Sequence, residues 1–491
     1  MGVLTGAARV SRARGLVESV IWLHVGRSPT ARVAGADAGL QIRDSYLTGV
    51  QWVDEATVAV TSMSRALTSA QVSLCTAPAW HCSEVYAAAN WRWVSELQPV
   101  FATGYSDFVV KTDDTEEHGE EMVEVMVQEG VKIRSKASGH RIVTLQFWDR
   151  QEHGIYYTGV EDTRPSETHL YWRPDSAAGQ RAGAACLTCG VSTLLGRPCS
   201  RLTPIFGPNS DALALECAHG PVRSLHVLDR AVTRRLAELD SSRALAERMA
   251  VPHVFSETVS LGGEYVRLEL ILPALWEEKK GGTYLYPFVL DIEDDVLELD
   301  WSVEFATFMV SKWDLVFVRA RATAQLSHRS FFGNQKRTSG ILSHLSQKYQ
   351  YLNMERIAVI GEGFGGHSAL TALADNALVH CGAVLWPVVE LDLYDAYHAE
   401  RYVDTTNILD AIERIDDHSL YLVYGTGDPL FLHGDLLSKK LVERGVLFYQ
   451  QIYSDEDVYF RSVRSHLHRS LEDFLIPKCF PHLMAKQTED E

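Results

Sequence analysis

Two patterns of apolar and polar positions divide the chain. From about residue 25 to 250, short runs rich in aromatic and β-branched residues alternate with polar turns. Examples are Gln51-Trp-Val, Thr57-Val-Ala-Val, Arg141-Ile-Val-Thr-Leu-Gln-Phe-Trp, Gly154-Ile-Tyr-Tyr-Thr-Gly and His169-Leu-Tyr-Trp. Strands at this spacing, with little helical periodicity, predict an all-β unit, either a sandwich or the blades of a propeller. No clean repeat decides between the two. Beyond residue 250 the apolar runs become continuous: Tyr286-Pro-Phe-Val-Leu-Asp-Ile, Leu315-Val-Phe-Val-Arg-Ala, Arg356-Ile-Ala-Val-Ile-Gly and Leu420-Tyr-Leu-Val-Tyr-Gly. Such runs suit strands buried on both faces of a parallel sheet. Helical stretches at 304–310, 340–348, 368–374 and 434–443 separate them, which predicts an α/β domain. The expected organisation is an irregular N-terminus at 1–24, a β domain at 25–250, an α/β domain at 251–480 and a disordered tail at 481–491. The segment 232–249, charged and containing helix formers, marks the change between the two halves.

Charge narrows the partners. The chain carries 46 Lys+Arg against 64 Asp+Glu, a formal charge of −18. That balance argues against nucleic acid, since phosphate binding needs concentrated positive charge. No apolar run approaches the ~20 residues of a transmembrane helix. The first 26 residues make a poor signal peptide, because Glu18 and His24 interrupt the apolar run. Gly6 stands where a myristoylation signal needs Ser or Thr.

Eight cysteines fall into local groups: Cys75 with Cys82, Cys186 with Cys189, Cys199 with Cys217, and Cys381 with Cys479. An even count at mostly short spacings suits disulfides in an oxidising compartment. The rival reading is a zinc site on Cys186-Leu-Thr-Cys189. Cys199 and Cys217 do not form the second Cys-x-x-Cys that it needs, so no metal and no cofactor is expected. The absence of any Asn-x-Ser/Thr sequon points the other way on compartment.

The most informative segment is Arg356-Ile-Ala-Val-Ile-Gly-Glu-Gly-Phe-Gly-Gly-His. An apolar strand that passes through closely spaced glycines straight into a helix has the form of a nucleophile elbow. Its central residue sits on a strained turn, and small neighbours let the helix approach the strand. In a hydrolase the central residue is Ser; here it is Gly363. The glycines match neither the dinucleotide nor the Walker spacing.

From this segment onward the chain resembles the dipeptidyl peptidase IV branch of the prolyl oligopeptidase family, whose elbow reads Gly-Trp-Ser-Tyr-Gly-Gly. The order continues through Cys381-Gly-Ala-Val-Leu-Trp-Pro-Val, Leu393-Tyr-Asp-Ala-Tyr-His-Ala-Glu-Arg-Tyr, Tyr424-Gly-Thr-Gly-Asp, Leu441-Val-Glu-Arg-Gly-Val and Tyr453-Ser-Asp-Glu-Asp. Upstream, Asp44-Ser-Tyr-Leu-Thr-Gly-Val-Gln-Trp-Val, Trp80-His-Cys-Ser-Glu-Val-Tyr and Cys186-Leu-Thr-Cys resemble later blades of the family's propeller. The resemblance covers about 40–480. It implies an α/β hydrolase domain with a doubly wound, mostly parallel sheet, preceded by an incomplete β-propeller, and it implies the same four cysteine pairings.

Carried over residue by residue, the catalytic positions are largely lost. The nucleophile position is Gly363 and the triad base falls on Val458, while the triad carboxylate survives as Asp428. Glu293 stands where the family has a tyrosine supporting the oxyanion, and a carboxylate there opposes developing negative charge. In the vestigial substrate pocket, Tyr394 matches one of two paired tyrosines and His398 replaces the other. Leu430 replaces a polar substrate contact, and Glu362 precedes the nucleophile position. The family's glycine-rich Gly-Arg-Gly-Ser-Gly loop reads Ala320-Arg-Ala-Thr-Ala. Losing nucleophile or base costs a serine hydrolase about 10⁶ in kcat. His367 and Ser368 lie inside the helix after the elbow, and His466 and His468 in a C-terminal helical stretch, so none is expected to substitute.

The resemblance therefore implies a catalytically inactive protein with a binding or scaffold role. The alternatives are an active serine peptidase releasing N-terminal X-Pro or X-Ala dipeptides, an auxiliary subunit of a membrane protein such as a potassium channel, and a binding site for a peptide or small ligand at the vacant centre. The family's membrane anchor, first blades and paired substrate-binding glutamates have no counterpart here, which implies either a naturally short chain or, the favoured expectation, a truncated one. An extracellular or cell-surface location, a homodimer through the hydrolase domain and a membrane-protein partner complete what the resemblance implies.

Overall fold

The computed structural model describes residues 7–9, 20–22, 45–89, 94, 96–113, 120–136, 140–150, 153–161, 164–176, 184–192, 202–207, 213–219, 222–229, 232–237, 252–261, 264–276, 285–293, 300–322, 335–394 and 407–484. The chain forms two compact units: Met1–His219 with Arg223–Leu239, and Gly220–Val222 with Asp240–Glu491.

Among the described residues, the N-terminal unit contains four sheets of four strands each, in residues 45–89, 100–136, 140–186 and 202–237. In every sheet the strands follow one another in chain order, and the described pairings are antiparallel. The aromatic runs supply the core: Trp148, Tyr157 and Tyr171 pack with Val109, Met122 and Ile155. Tyr157 and Tyr171 stack at 5.6 Å between ring centroids. Trp148 also donates its indole N–H to Oδ2 of buried Asp175 at 3.2 Å, which satisfies the polar end of a buried ring. Two expectations need correction. The stretch 1–24 holds a short antiparallel pair, Ala7–Arg9 with Val20–Trp22. The charged segment after 232 begins as a strand, Val232–Ala237, paired with Val222–Asp229; here cross-strand pairing overrides helix propensity.

In the C-terminal unit, eight strands form one sheet: β1 (His253–Leu261), β2 (Glu264–Leu272), β3 (Tyr286–Glu293), β4 (Val316–Ala322), β5 (Leu352–Glu362), β6 (Val379–Leu385), β7 (Leu420–Gly425) and β8 (Tyr449–Tyr453). Their order is β1-β2-β4-β3-β5-β6-β7-β8. The six strands from β4 to β8 run parallel, and β2 joins β4 antiparallel as part of a hairpin with β1. Every residue of β7, and of β3 up to Ile292, is buried, so both faces of the sheet are covered. The covering helices are α1 (Asp300–Trp313), α2 (Gln335–Lys348), α3 (Gly363–Asp375), α4 (Leu432–Arg444) and α5 (Arg464–Cys479). One core joins them, with Phe288, Leu290, Phe317, Val359, Leu370, Leu422 and Leu471 in it. The expected tail at 481–491 needs correction at its start: residues 481–484 are helical and Leu483 is buried, while 485–491 lie outside the described residues. Among the described residues, no helix is long and apolar enough to cross a membrane.

Candidate functional site

The expected strand-to-helix turn is present. Strand β5 ends at Glu362, and α3 begins at once with Gly363, whose φ is +51°. That left-handed conformation costs other L-residues ~1–2 kcal/mol, which explains a glycine once no side chain is required. The neighbouring glycines have a packing reason. A Cβ on Gly361 would lie 2.1 Å from the Gly365 carbonyl oxygen, and one on Gly366 would lie 2.9 Å from Cβ of Pro387. Glu362 sits at the helix N-cap position and makes no side-chain capping bond.

A relay of contacts runs from the elbow to Asp428. The Val388 N–H donates to the Gly363 carbonyl at 2.9 Å. The next two backbone N–H groups, of Val389 and Glu390, donate to Nδ1 of His433 at 3.3 and 3.4 Å. The His433 N–H donates to the Leu430 carbonyl, and the Leu430 N–H donates to Oδ1 of Asp428 at 2.9 Å. Above the elbow, Phe364, Val388, Leu391 and Tyr394 form a separate apolar cluster. Phe364 and Tyr394 meet edge to face at 4.7 Å, and Tyr394 lies 6.4 Å from the His433 ring. The structure thus gathers Gly363, Tyr394, Leu430 and Asp428 into one neighbourhood. His398 lies outside the described residues.

Asp428 is buried, and its Oδ2 has no hydrogen-bond partner. Burial pushes its pKa above the ordinary carboxylate value; the Leu430 N–H opposes this and Asp457 adds to it. The Asp457 carboxylate accepts from the Tyr459 N–H at 2.9 Å, across the turn that carries Val458. Val458 is partly buried and packs against the main core, so an apolar side chain occupies the position that the resemblance gives to the base.

His433 is a group that the sequence reading missed. It is buried, and burial lowers its pKa to about 4. Because Nδ1 accepts from two backbone N–H groups, the neutral ring carries its proton on Nε2. A triad base needs the reverse, with Nδ1–H held by the carboxylate and Nε2 open to take a proton. His367 is excluded as well: burial lowers its pKa to about 4, and Nδ1 lies 3.1 Å from the Val388 carbonyl. His466 pairs with the Tyr453 hydroxyl at 2.8 Å through Nδ1, and His468 packs on Phe305.

Glu293, at the end of β3, is tied inward. It forms ion pairs with Arg319 and Arg321 of β4, the Arg321 Nε donating to Oε2 at 2.7 Å. Burial raises its pKa, but the two guanidinium groups outweigh that and hold it below the ordinary value. Arg319 is 3 % exposed and also lies 3.5 Å from Asp291 and 3.4 Å from Glu269. Asp291 is pushed up to about 7 by burial, with Glu293 contributing. The carboxylate that the resemblance sets against an oxyanion is thus paired with Arg319 and Arg321. Ala320, Arg321 and Ala322 lie on β4 itself.

Three of the four expected disulfides are present: Cys75–Cys82, Cys186–Cys189 and Cys381–Cys479. Cys75 and Cys82 face each other across adjacent strands, and Cys381–Cys479 ties α5 to β6. Cys199 and the side chain of Cys217 lie outside the described residues.

Comparison with known proteins gives these features a context. Residues 18–189 match the model of the dipeptidyl peptidase IV N-terminal region. The chain is 23% identical to inactive dipeptidyl peptidase 10 of Mus musculus over 461 residues, covering 86% of this chain and 57% of the relative. It is 25% identical to venom dipeptidyl peptidase 4 of Apis mellifera, covering 68% and 46%. The chain therefore spans about half the length of these relatives. Among solved structures, Porphyromonas gingivalis dipeptidyl peptidase 4 superposes with a TM-score of 0.69 at 17% identity, covering 89% of this chain and 64% of that one. On these matches the chain is similar to dipeptidyl peptidase IV-type proteins in sequence and in fold.

Proposed function

We propose that this protein is a catalytically silent dipeptidyl peptidase IV-type protein that acts by binding rather than by hydrolysis. The observation that carries the proposal is Gly363: the residue on the strained elbow has no side chain to attack a carbonyl. Three further features support it. Val458 packs apolar surface where a base would stand, Asp428 has no imidazole on Oδ2, and the one buried histidine of this neighbourhood that meets Val389 is held in the wrong tautomer. On this reading the four meander sheets are blades of a partial propeller, and the eight-stranded sheet is a hydrolase frame kept for its shape. The disulfides favour an extracellular or cell-surface setting. Homodimerisation through the hydrolase-type unit and a membrane-protein partner belong to the same proposal. The test is labelling of purified protein with a fluorophosphonate probe, which requires an activated serine. No labelling is expected; stoichiometric labelling abolished by denaturation would overturn the proposal.

A further inference from the structure

In the N-terminal unit, His169 lies on the strand Arg164–Pro174, and Cys186 ends a two-residue strand paired to it, with Cys186 opposite Tyr171. The turn that follows is fastened to the same strand. The Leu187 N–H donates to the Leu170 carbonyl at 2.8 Å, and the Leu170 N–H donates to Oγ1 of Thr188 at 2.9 Å. The fastening brings three soft or borderline donor atoms together. A His169 ring nitrogen and the sulfurs of Cys186 and Cys189 lie within 4.8 Å of one another. His169 is 2% exposed, and its Nδ1 lies 3.3 Å from Oγ1 of fully buried Thr188.

We propose that Cys186, Cys189 and His169 form a redox-gated zinc site, a disulfide when oxidised and a three-ligand Zn²⁺ site when reduced. Zinc takes Cys sulfur at ~2.3 Å and His nitrogen at ~2.0–2.1 Å in tetrahedral array, which spaces the donor atoms by roughly 3.3–3.8 Å. Shifts on the order of an ångström, with the S–S bond opened, bring the cluster to that spacing. The Cys-x-x-Cys separation is the one zinc turns use. Two local groups favour the reduced, metal-bound form. The Cys189 N–H donates to Cys186 Sγ at 3.0 Å, and such a bond stabilises the thiolate, the form that binds metal. Thr188 stands beside the imidazole as an outer partner that fixes ring orientation.

The conversion balances as follows. A dithiol reductant delivers two electrons and two protons to the Cys186–Cys189 bond and leaves as its own disulfide. The two new thiols then release their protons as they bind Zn²⁺. Two thiolates and one neutral imidazole give a site of zero net charge, suited to a buried position. The fourth coordination position is left to water or to a ligand from outside the chain.

Zinc binding to the full chain tests this, with Zn²⁺ alone as the probe, a phosphine as reductant and native mass spectrometry as readout. A Cys75→Ser/Cys82→Ser background removes another disulfide of the same unit. One zinc per reduced chain and none per oxidised chain is expected. Binding should be lost in His169→Ala and in Cys186→Ser/Cys189→Ser, and weakened by about 10- to 100-fold in Thr188→Val. A variant-free readout is alkylation of the unmodified, reduced protein, in which zinc should protect Cys186 and Cys189. No zinc in the reduced chain, zinc retained undiminished without His169, or equal alkylation with and without zinc overturns the proposal.

Discussion

The backbone N–H of Leu430 donates to Oδ1 of Asp428 at 2.9 Å, and the other oxygen of that buried carboxylate meets no hydrogen-bond partner. Half of this group is held as a turn needs it, and the other half faces nothing that an acid would pair with.

Replacing Asp428 by Asn keeps the acceptor for Leu430 and removes a charge. The folded pKa of Asp428 is raised, chiefly by burial. A raised carboxylate binds its proton more tightly in the folded state, so its contribution to stability is best at low pH and is lost as pH rises through the folded pKa. Asp428→Asn should therefore stabilise the protein at pH 8, with a smaller gain at pH 4. Urea midpoints at the two pH values measure this. A destabilised variant at pH 8 would show that the charged carboxylate has a partner of its own.

The elbow glycines should differ in sensitivity. Gly363→Ala must adopt the left-handed backbone, at a cost of about 1–2 kcal/mol. Gly361→Ala drives a Cβ into the Gly365 carbonyl and should cost more. Thermal unfolding ranks the two, and a milder effect at Gly361 would mean that β5 and α3 can part without penalty.

Glu293→Gln should destabilise the C-terminal unit by about 1–3 kcal/mol, because it removes the charge that Arg319 and Arg321 share and leaves Arg319 to Asp291 and Glu269 alone among its acidic neighbours. A loss below about 0.5 kcal/mol, the scale of a surface pair, would refute the view of this cluster as a structural unit.

Cys381 and Cys479 are 98 residues apart in sequence. Opening that loop with Cys381→Ser/Cys479→Ser should lower stability by up to about 4–5 kcal/mol on the chain-entropy model. Denaturant unfolding of the double variant should show it, and unchanged unfolding would mean that packing alone secures α5.

Restoring the missing groups gives a final test of the vacant centre. Gly363→Ser alone should remain unlabelled by fluorophosphonate, since a serine without a base stays protonated. Gly363→Ser/Val458→His should give at most a trace rate on an Ala-Pro chromogenic substrate. Strong labelling of the single variant would reveal a base elsewhere.

Much of the C-terminal unit was legible in its sequence, because buried parallel strands write themselves as unbroken apolar runs. The run from Arg356 to Gly361 lies within β5, and Leu420 to Gly425 coincides with β7. Strand β8, Tyr-Gln-Gln-Ile-Tyr, escaped that reading because an edge strand is partly solvated and its sequence is mixed. The β1–β2 hairpin escaped because its apolar positions alternate with charges such as Glu257, Arg267 and Glu269. At the site, Gly363 and Asp428 were visible through motif shape. His433 was not, since nothing in Leu-His-Gly-Asp announces that its ring accepts two backbone N–H groups contributed from a segment forty residues earlier. His169 was quoted only as the start of an apolar run, and its approach to Cys186 and Cys189 depends on strand pairing that spacing alone does not reveal.

The pairing of Glu293 with Arg319 and Arg321 makes the three positions depend on one another. Replacing Glu293 by the tyrosine that the resemblance places there would take from Arg319 and Arg321 a charge they share, leaving Arg319 with Asp291 and Glu269. Reverting the arginines first would strand the carboxylate instead. Either order passes through a weakened chain, and about 1–3 kcal/mol is a large share of a total stability of the order of 5–15 kcal/mol. Packing within the sheet thus resists change at position 293 whatever residue stands at 363.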